Sequence, residues 1–448
     1  MNYFFQNNDY QLIKLVLIIG WIIIWSTISF NPEKILLIMN LNFLQNLSFS
    51  KIELFNLVDI FRGSLSLLYS PIILLIFFFS IKKKLIDNYY SFFTLFLIIF
   101  LIQVFSTLLS NNSNLNSYFL INSILSILIL LVSKNIFSEK EFFYLTTTSL
   151  FILTLVFIFS FSLYIYQFYL SPDLSFYSVY ISINLNQIHE LPRPTGLSRT
   201  GLIIFIFISN YLIFIKRRNL LLMSLMIICS SSIILLSSRT TIFIYVIYIT
   251  FISYYYHDKK VNNYFQNLNK FIIFPLILII CIIGTRHLII KNDLIKDLNL
   301  KNTPSGLNIL RNYPDLKKKK KSDFSSGRID DWKKIYKKNS KIFFGNGVMG
   351  DRYLINQSAS NGIAYTYASS GIFGVLLFIT LSLISFYYAV KKIIQSKEKN
   401  VNFFEVSSSF IILALLARSI LETSYAIFSI DFLIFCLCFS NIAYTRQR

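Results

Sequence analysis

Charge is what this chain most lacks. Only 14% of its 448 residues are Asp, Glu, Lys or Arg, where an ordinary soluble domain carries about a quarter, and 55% are hydrophobic, which excludes a water-soluble globular protein. Acidic residues are the scarcer sign, 21 against 42 Lys and Arg. In a soluble protein a formal charge of +21 would point to nucleic acid. Here the basic residues sit between apolar runs, so nucleic acid is left out and membrane lipid headgroups or an anionic substrate are the better partners. Cysteine is nearly absent: Cys229, Cys281, Cys436 and Cys438 all fall inside apolar runs, where a thiol behaves as a small hydrophobe. Neither a disulfide framework nor a metal cluster is implied. With 8 prolines and 13 glycines, the apolar runs carry few interruptions, which counts against the broken helices that transporters use for alternating access. No internal repeat of fixed period is visible.

What is present in abundance is the apolar run of about 17 to 25 residues, the length that crosses a bilayer as a helix. The first, "LIKLVLIIGWIIIWSTI", is not followed by a small-residue cleavage site and is expected to stay in the mature protein. Hydropathy predicts twelve spans, near 11–29, 62–81, 90–109, 117–133, 142–170, 200–215, 219–236, 240–256, 271–290, 361–389, 403–418 and 423–443. The predicted fold class is therefore an all-α polytopic membrane protein. If both termini are cytoplasmic, "KKK" at 82–84, Lys134 with Lys140, "KRR" at 216–218, "DKK" at 258–260, "KKIIQSKEK" at 391–399 and the terminal "RQR" all lie inside. Every short basic loop then obeys the positive-inside rule, and the opposite orientation violates it at each. The chain divides into spans 1–9 over 1–290 with outer segments 30–61 and 171–199, a large, partly helical outer loop over 291–360, and spans 10–12 over 361–448. A 70-residue excursion is too long for an idle connection.

Arginine runs against this charge rule. Of thirteen, nine are expected outside or at the outer edge: Arg62, Arg193, Arg199, Arg239, Arg286, Arg311, Arg328, Arg352 and Arg418. Membrane insertion selects against that arrangement, so a ligand on that side is implied. The planar guanidinium binds phosphate oxygens bidentately and stays charged, which suits a diphosphate. Spans 2, 6 and 8 open with "RGS", "RPTGLSRTG" and "SSRTT". In this orientation they point the positive ends of their dipoles outward, and their hydroxyls and glycines offer caps and close backbone approach. Prolines 192 and 194 are expected to hold the segment before span 6 extended.

With "RPTGLSRTGLIIFIFISN", then "ILLSSRTTIFIYV", then "SSGRIDDWKKIYKKNSKIFFGNGVMGDRYLINQSASNGIAYTYASSGIFGVLLF", the chain resembles the superfamily of O-antigen polymerases and O-antigen ligases. The motif likeness covers roughly 190–390, and the layout of twelve spans with a large periplasmic loop before span 10 extends it to the whole chain. The resemblance implies a GT-C-like architecture in the bacterial inner membrane and an active site at the periplasmic face. It implies an undecaprenyl-diphosphate-linked glycan as donor, no metal or other cofactor, and a chain-length regulator as a protein partner. Arg193, Arg199, Arg239 and Arg328 would be the catalytic residues, contacting the diphosphate or positioning the sugars. Arg62, Arg286, His287, Arg352, Asn361, Tyr365 and Arg418 would complete the substrate site. The ligase branch tends to carry His-Asn just before span 10. Here those positions read Ser360-Asn361, and the missing histidine favours a polymerase.

Chemically, diphosphate is already a good leaving group, so the main demand is to stabilise its growing negative charge, which arginines and helix N-termini can meet. No outer loop offers an Asp-x-Asp pair, and Asp330-Asp331, set among basic residues, reads as helix-surface ion pairing. The general base is open between His287, His189, Glu190 and Glu422. Arg418 and Glu422 also read as a structural i, i+4 pair. "KKKKK" at 317–321 reads as a solvated run near anionic headgroups. Three functions stay open on sequence alone: a polymerase, a ligase handing the glycan to lipid A core or protein, and a transporter of the lipid-linked unit.

Overall fold

The computed structural model describes residues 2–29, 68–78, 80, 90–109, 116–170, 194–215, 219–236, 238–257, 275, 277–282, 328–355, 358–398 and 402–443. Among them the regular elements are helices and no strand occurs: α1 (Asn2–Ser29), α2 (Leu68–Phe78), α3 (Tyr90–Leu108), α4 (Asn116–Ile136), α5 (Glu139–Leu170), α6 (Pro194–Ile215), α7 (Leu220–Leu235), α8 (Arg239–His257), α9 (Arg328–Lys338), α10 (Gly350–Ile355), α11 (Gly362–Glu398), α12 (Phe403–Ser419) and α13 (Ile430–Ala443). Four of these, α4, α5, α6 and α11, are long and apolar enough to cross a membrane, and six further apolar helices are shorter. The chain is a helical membrane protein.

Its residues group into two compact units, Met1–Ser149 with Ser325–Arg448, and Leu150–Phe324. In the first, the C-terminal helices pack on helices from the first third of the chain: α11 lies against α3 and α12, and α13 against α4 and α12. Phe96 and Phe100 of α3 meet the ring edges of Phe432 and Phe435 of α13 at centroid separations of 5.5 to 5.7 Å. Tyr425 stacks on Phe435 at 4.0 Å and on Phe378 at 5.1 Å, and its hydroxyl shares a 2.6 Å hydrogen bond with Ser382. These edge and offset geometries suit the ring quadrupole, and the phenol stays satisfied inside an apolar core. Local chemistry sets the helix starts. Ser138 and Glu141 form a reciprocal capping box, Glu141 also pairing with Lys14 at 2.8 Å, and Asn402 caps α12.

In the second unit α6 packs on α7 and α8. Gly201 makes the approach possible, since a Cβ there would stand 2.7 Å from Ser232 Oγ and 3.1 Å from the Phe157 ring. The buried side chains of Ser209 and Asn210 bond the Tyr248 hydroxyl at 2.6 and 2.9 Å, and Tyr245 donates to Ser230 at 2.9 Å.

Three boundaries differ from the sequence reading. Helix α6 begins at Pro194 and not near 200, so the proline is the first helical residue, where its missing N–H costs nothing. The last helix begins at Ile430 and not at 423, because Ser424–Ala426 forms a 3-10 turn with Ser424 at φ 42°. The third concerns α11, which runs 37 residues, about 55 Å at 1.5 Å per residue, nine residues past the expected end. It is interrupted at Gly371 (φ 65°, ψ −160°), which corrects the expectation of unbroken spans.

Residues 342–347 fill that break. Asn346 N–H donates to Ala368 O at 2.8 Å, Gly347 N–H to Ser369 O at 2.9 Å, and Ile372 N–H to Ile342 O at 2.9 Å. The segment is fastened on its other side to α3: Ser106 donates to Phe344 O, Val348 N–H to Thr107 Oγ1 at 3.2 Å, and Lys341 to Leu109 O at 3.1 Å. Irregular backbone inside a membrane protein survives only where protein supplies its hydrogen bonds, and here 342–347 supplies them.

Candidate functional site

Segment 328–361 is built around two helix ends. On α9, Arg328 and Trp332 are one turn apart and share a face. Arg328 Nη1 donates to Leu421 O at 2.9 Å and Trp332 Nε1 to Ala359 O at 2.8 Å. Asn361 caps α11, its Oδ1 accepting from Ala364 N–H at 2.8 Å, while its Nδ2 donates to Ile420 O at 2.6 Å. Ile420 and Leu421 follow the last turn of α12, where helix carbonyls are orphaned and the dipole end is negative. A cation and an amide on consecutive carbonyls are what that end requires. The structure thereby brings together Arg328, Asn361 and the turn that follows Arg418.

Arg418 itself is 3% exposed and pairs with Glu422, with Asp431 Oδ2 at 3.9 Å from its Nε. Asp431 is fully buried and also accepts from Ser424 Oγ at 3.4 Å. Two carboxylates facing one guanidinium hold its charge for the fold, in keeping with the structural reading of the i, i+4 pair. Similarly, Asp331 reaches Lys334 at 4.0 Å along α9.

A second group adjoins Ala359. Asp351, 2% exposed, accepts from Ala359 N–H at 2.8 Å through Oδ2, and its buried Oδ1 has no hydrogen-bond partner. Burial raises its carboxyl above the usual range, opposed in part by the Ala359 and Arg352 N–H groups and the Arg352 charge. Arg352 is exposed and folds its guanidinium back to Met349 Sδ at 3.3 Å. Tyr365 is buried, its hydroxyl accepting from Met349 N–H at 3.5 Å. Sequence reasoning passed over Asp351, since an aspartate beside an arginine in a loop carries no sign of burial.

In the second unit Arg199 is half-buried in the second turn of α6, beside Gly196, where a Cβ would lie 3.5 Å from Nη2. Thr200 bonds the Gly196 carbonyl at 3.1 Å. This is a correction: Pro194 onward is helical, so Arg199 projects from the helix and does not precede it. Arg239 is the exposed first residue of α8, next to a 2.8 Å bond between Ser238 and Thr241. Arg62, Arg193, Arg286 and His287 lie outside the described residues, as do His189 and Glu190. Among the described residues no group of three or more His, Cys, Asp or Glu could hold a metal ion.

The fold and these contacts define a helical membrane protein with a dense polar network at one end of its first unit. Compared with known proteins, the chain matches no family model and no curated protein.

Proposed function

We propose that the protein is a polymerase of surface polysaccharide, joining undecaprenyl-diphosphate-linked repeat units at the periplasmic face. One observation carries the reading. Residues that the motif order singled out, Arg328, Trp332 and Asn361, all donate hydrogen bonds to backbone within one network, reaching Leu421, Ala359 and Ile420. Holding Leu421 uses one Nη1 contact, and a guanidinium has five N–H donors, so a further edge can serve a diphosphate. Arg199 and Arg239 supply cations near helix N-termini in the second unit, where anions are favoured. The growing chain would pass from its lipid diphosphate to a sugar hydroxyl on a new repeat unit, and the arginines would stabilise the departing diphosphate.

The break at Gly371 favours the transporter reading, because unwound helices bind cargo in such proteins. Ala368 O, Ser369 O and Ile372 N–H are, however, already bonded to residues 342–347 and are closed to a ligand. A polymerase remains the better account.

The test is deletion of the gene in its own host, with the surface glycan resolved on a gel and complementation by wild type, Arg328→Ala and Arg199→Ala. Lipid A core bearing a single repeat unit in the deletion strain, not restored by the variants, supports the proposal. Full-length glycan retained on undecaprenyl diphosphate would make the protein a ligase. Single units accumulating on the cytoplasmic side would make it a transporter.

A further inference from the structure

Three non-glycine residues among those described have left-handed backbone: Met349 (φ 60°), Ser360 (φ 50°) and Ser424 (φ 42°). Each lies beside a buried aspartate. Met349 is two residues before Asp351, Ser360 follows the Ala359 that Asp351 holds, and Ser424 donates to Asp431. Such conformations cost about 1 to 3 kcal/mol each and persist where the surroundings enforce them, most often at active sites. Asp431 faces Arg418. Asp351 differs: one oxygen is tied to Ala359, while Oδ1 is buried and without a partner. Leaving a carboxylate oxygen in that condition is expensive for the fold, and a structural cap on Ala359 needs only the other oxygen.

Resting on the polymerase reading, we propose that Asp351 is the general base that takes the proton from the acceptor sugar hydroxyl. In the step, the acceptor oxygen forms a bond to the anomeric carbon of the growing chain, and the bond from that carbon to the diphosphate oxygen breaks. The electron pair leaves with undecaprenyl diphosphate, and the hydroxyl proton moves to Asp351 Oδ1. The other described acidic groups at this end are less suited. Asp330 is exposed, Asp331 pairs with Lys334, and Glu422 and Asp431 face Arg418. Burial raises the Asp351 carboxyl toward working pH, the direction a base requires. Arg352 and Tyr365 are the charged and titratable groups that act on it electrostatically. Oδ1 is closed to solvent in this state, and relaxation of the strained Met349 and Ser360 on acceptor binding would open it.

The experiment uses purified full-length protein in proteoliposomes with extracted lipid-linked repeat units, following polymer formation against pH. Asp351→Asn keeps an oxygen for Ala359 N–H but cannot take the proton. It is expected to lower kcat by ~10²-fold or more with KM little changed and thermal stability retained, since general-base catalysis is worth 10²- to 10⁴-fold. Wild type should show an acid limb set by Asp351, and Asp351→Glu should keep partial turnover with that limb displaced. Near-normal turnover in Asp351→Asn, or an acid limb unmoved in Asp351→Glu, overturns the inference while leaving the polymerase standing. If Asp351→Asn does not fold, Asp351→Glu alone decides. Absence of polymer with wild-type protein refutes the polymerase reading itself.

Discussion

Replacing Gly371 by alanine tests whether α11 is held broken by segment 342–347. At φ 65° and ψ −160° the glycine occupies a region that side chains essentially exclude, a strain of about 1 to 3 kcal/mol for any other residue. Space is the second obstacle. A Cβ would overlap the Phe343 carbonyl and stand 2.6 Å from Ile342 O, the acceptor of Ile372 N–H. Backbone cannot move aside cheaply here, because Ser106 holds Phe344 O and Thr107 holds Val348 N–H from α3. Breaking the Ile342 to Ile372 bond leaves a buried N–H unsatisfied at a further ~1 to 3 kcal/mol, so the two effects together cost roughly 2 to 6 kcal/mol. That is a large share of the usual 5 to 15 kcal/mol of a folded protein, and the thermal midpoint should fall by roughly 5 °C or more. The assay is the fraction remaining monodisperse in detergent after heating. Gly196→Ala serves as the control, since its Cβ would meet only Arg199 Nη2, at 3.5 Å. If Gly371→Ala melts with wild type, residues 342–347 do not brace α11 and the account of the broken helix is wrong.

Arg418→Ala should destabilise the protein by about 3 to 5 kcal/mol by stranding Glu422 and Asp431, with Asp431→Asn in the same chain recovering part of the loss. A folded Arg418→Ala protein that loses only activity would return Arg418 to the substrate site. Trp332→Phe removes the 2.8 Å bond to Ala359 O while keeping the ring, and should lower stability by about 1 kcal/mol in the same heating assay. Asp351 also predicts a pH dependence of stability. Its folded value is raised, so its stabilising contribution is complete below the ordinary carboxyl range and is lost as pH climbs through the raised value. Melting of wild type should therefore worsen over that interval, and Asp351→Asn should flatten the profile.

The helices were legible because a bilayer demands long apolar runs, and those runs stand out in sequence whatever they pack against. The break in α11 was not. "ASSGIFG" contains Gly371 and Gly374 in the same apolar setting, and only the arrival of residues 342–347 from nearly thirty positions upstream distinguishes them. The same division runs through the site. Arg328 and Asn361 could be found because a guanidinium and an amide next to apolar spans need partners that the local sequence does not offer. Asp351 escaped because its burial is created by Ala359, eight residues on, across a loop whose path the local sequence does not dictate.

That contrast ranks the charges of the network. An arginine becomes useful to an anionic ligand when its fixed partner is weak, and a backbone carbonyl is weaker than a carboxylate. Arg328 meets a carbonyl and Arg418 meets two carboxylates. A diphosphate could recruit the first by sharing its donors, whereas recruiting the second would require separating a buried ion pair and leaving carboxylates uncompensated, at several kcal/mol. Arg328→Lys sharpens the point: a lysine can replace the charge but cannot bind Leu421 O and a phosphate in one plane. Its glycan ladder should therefore stay defective although the protein folds, and a fully restored ladder would mean that Arg328 acts by charge alone.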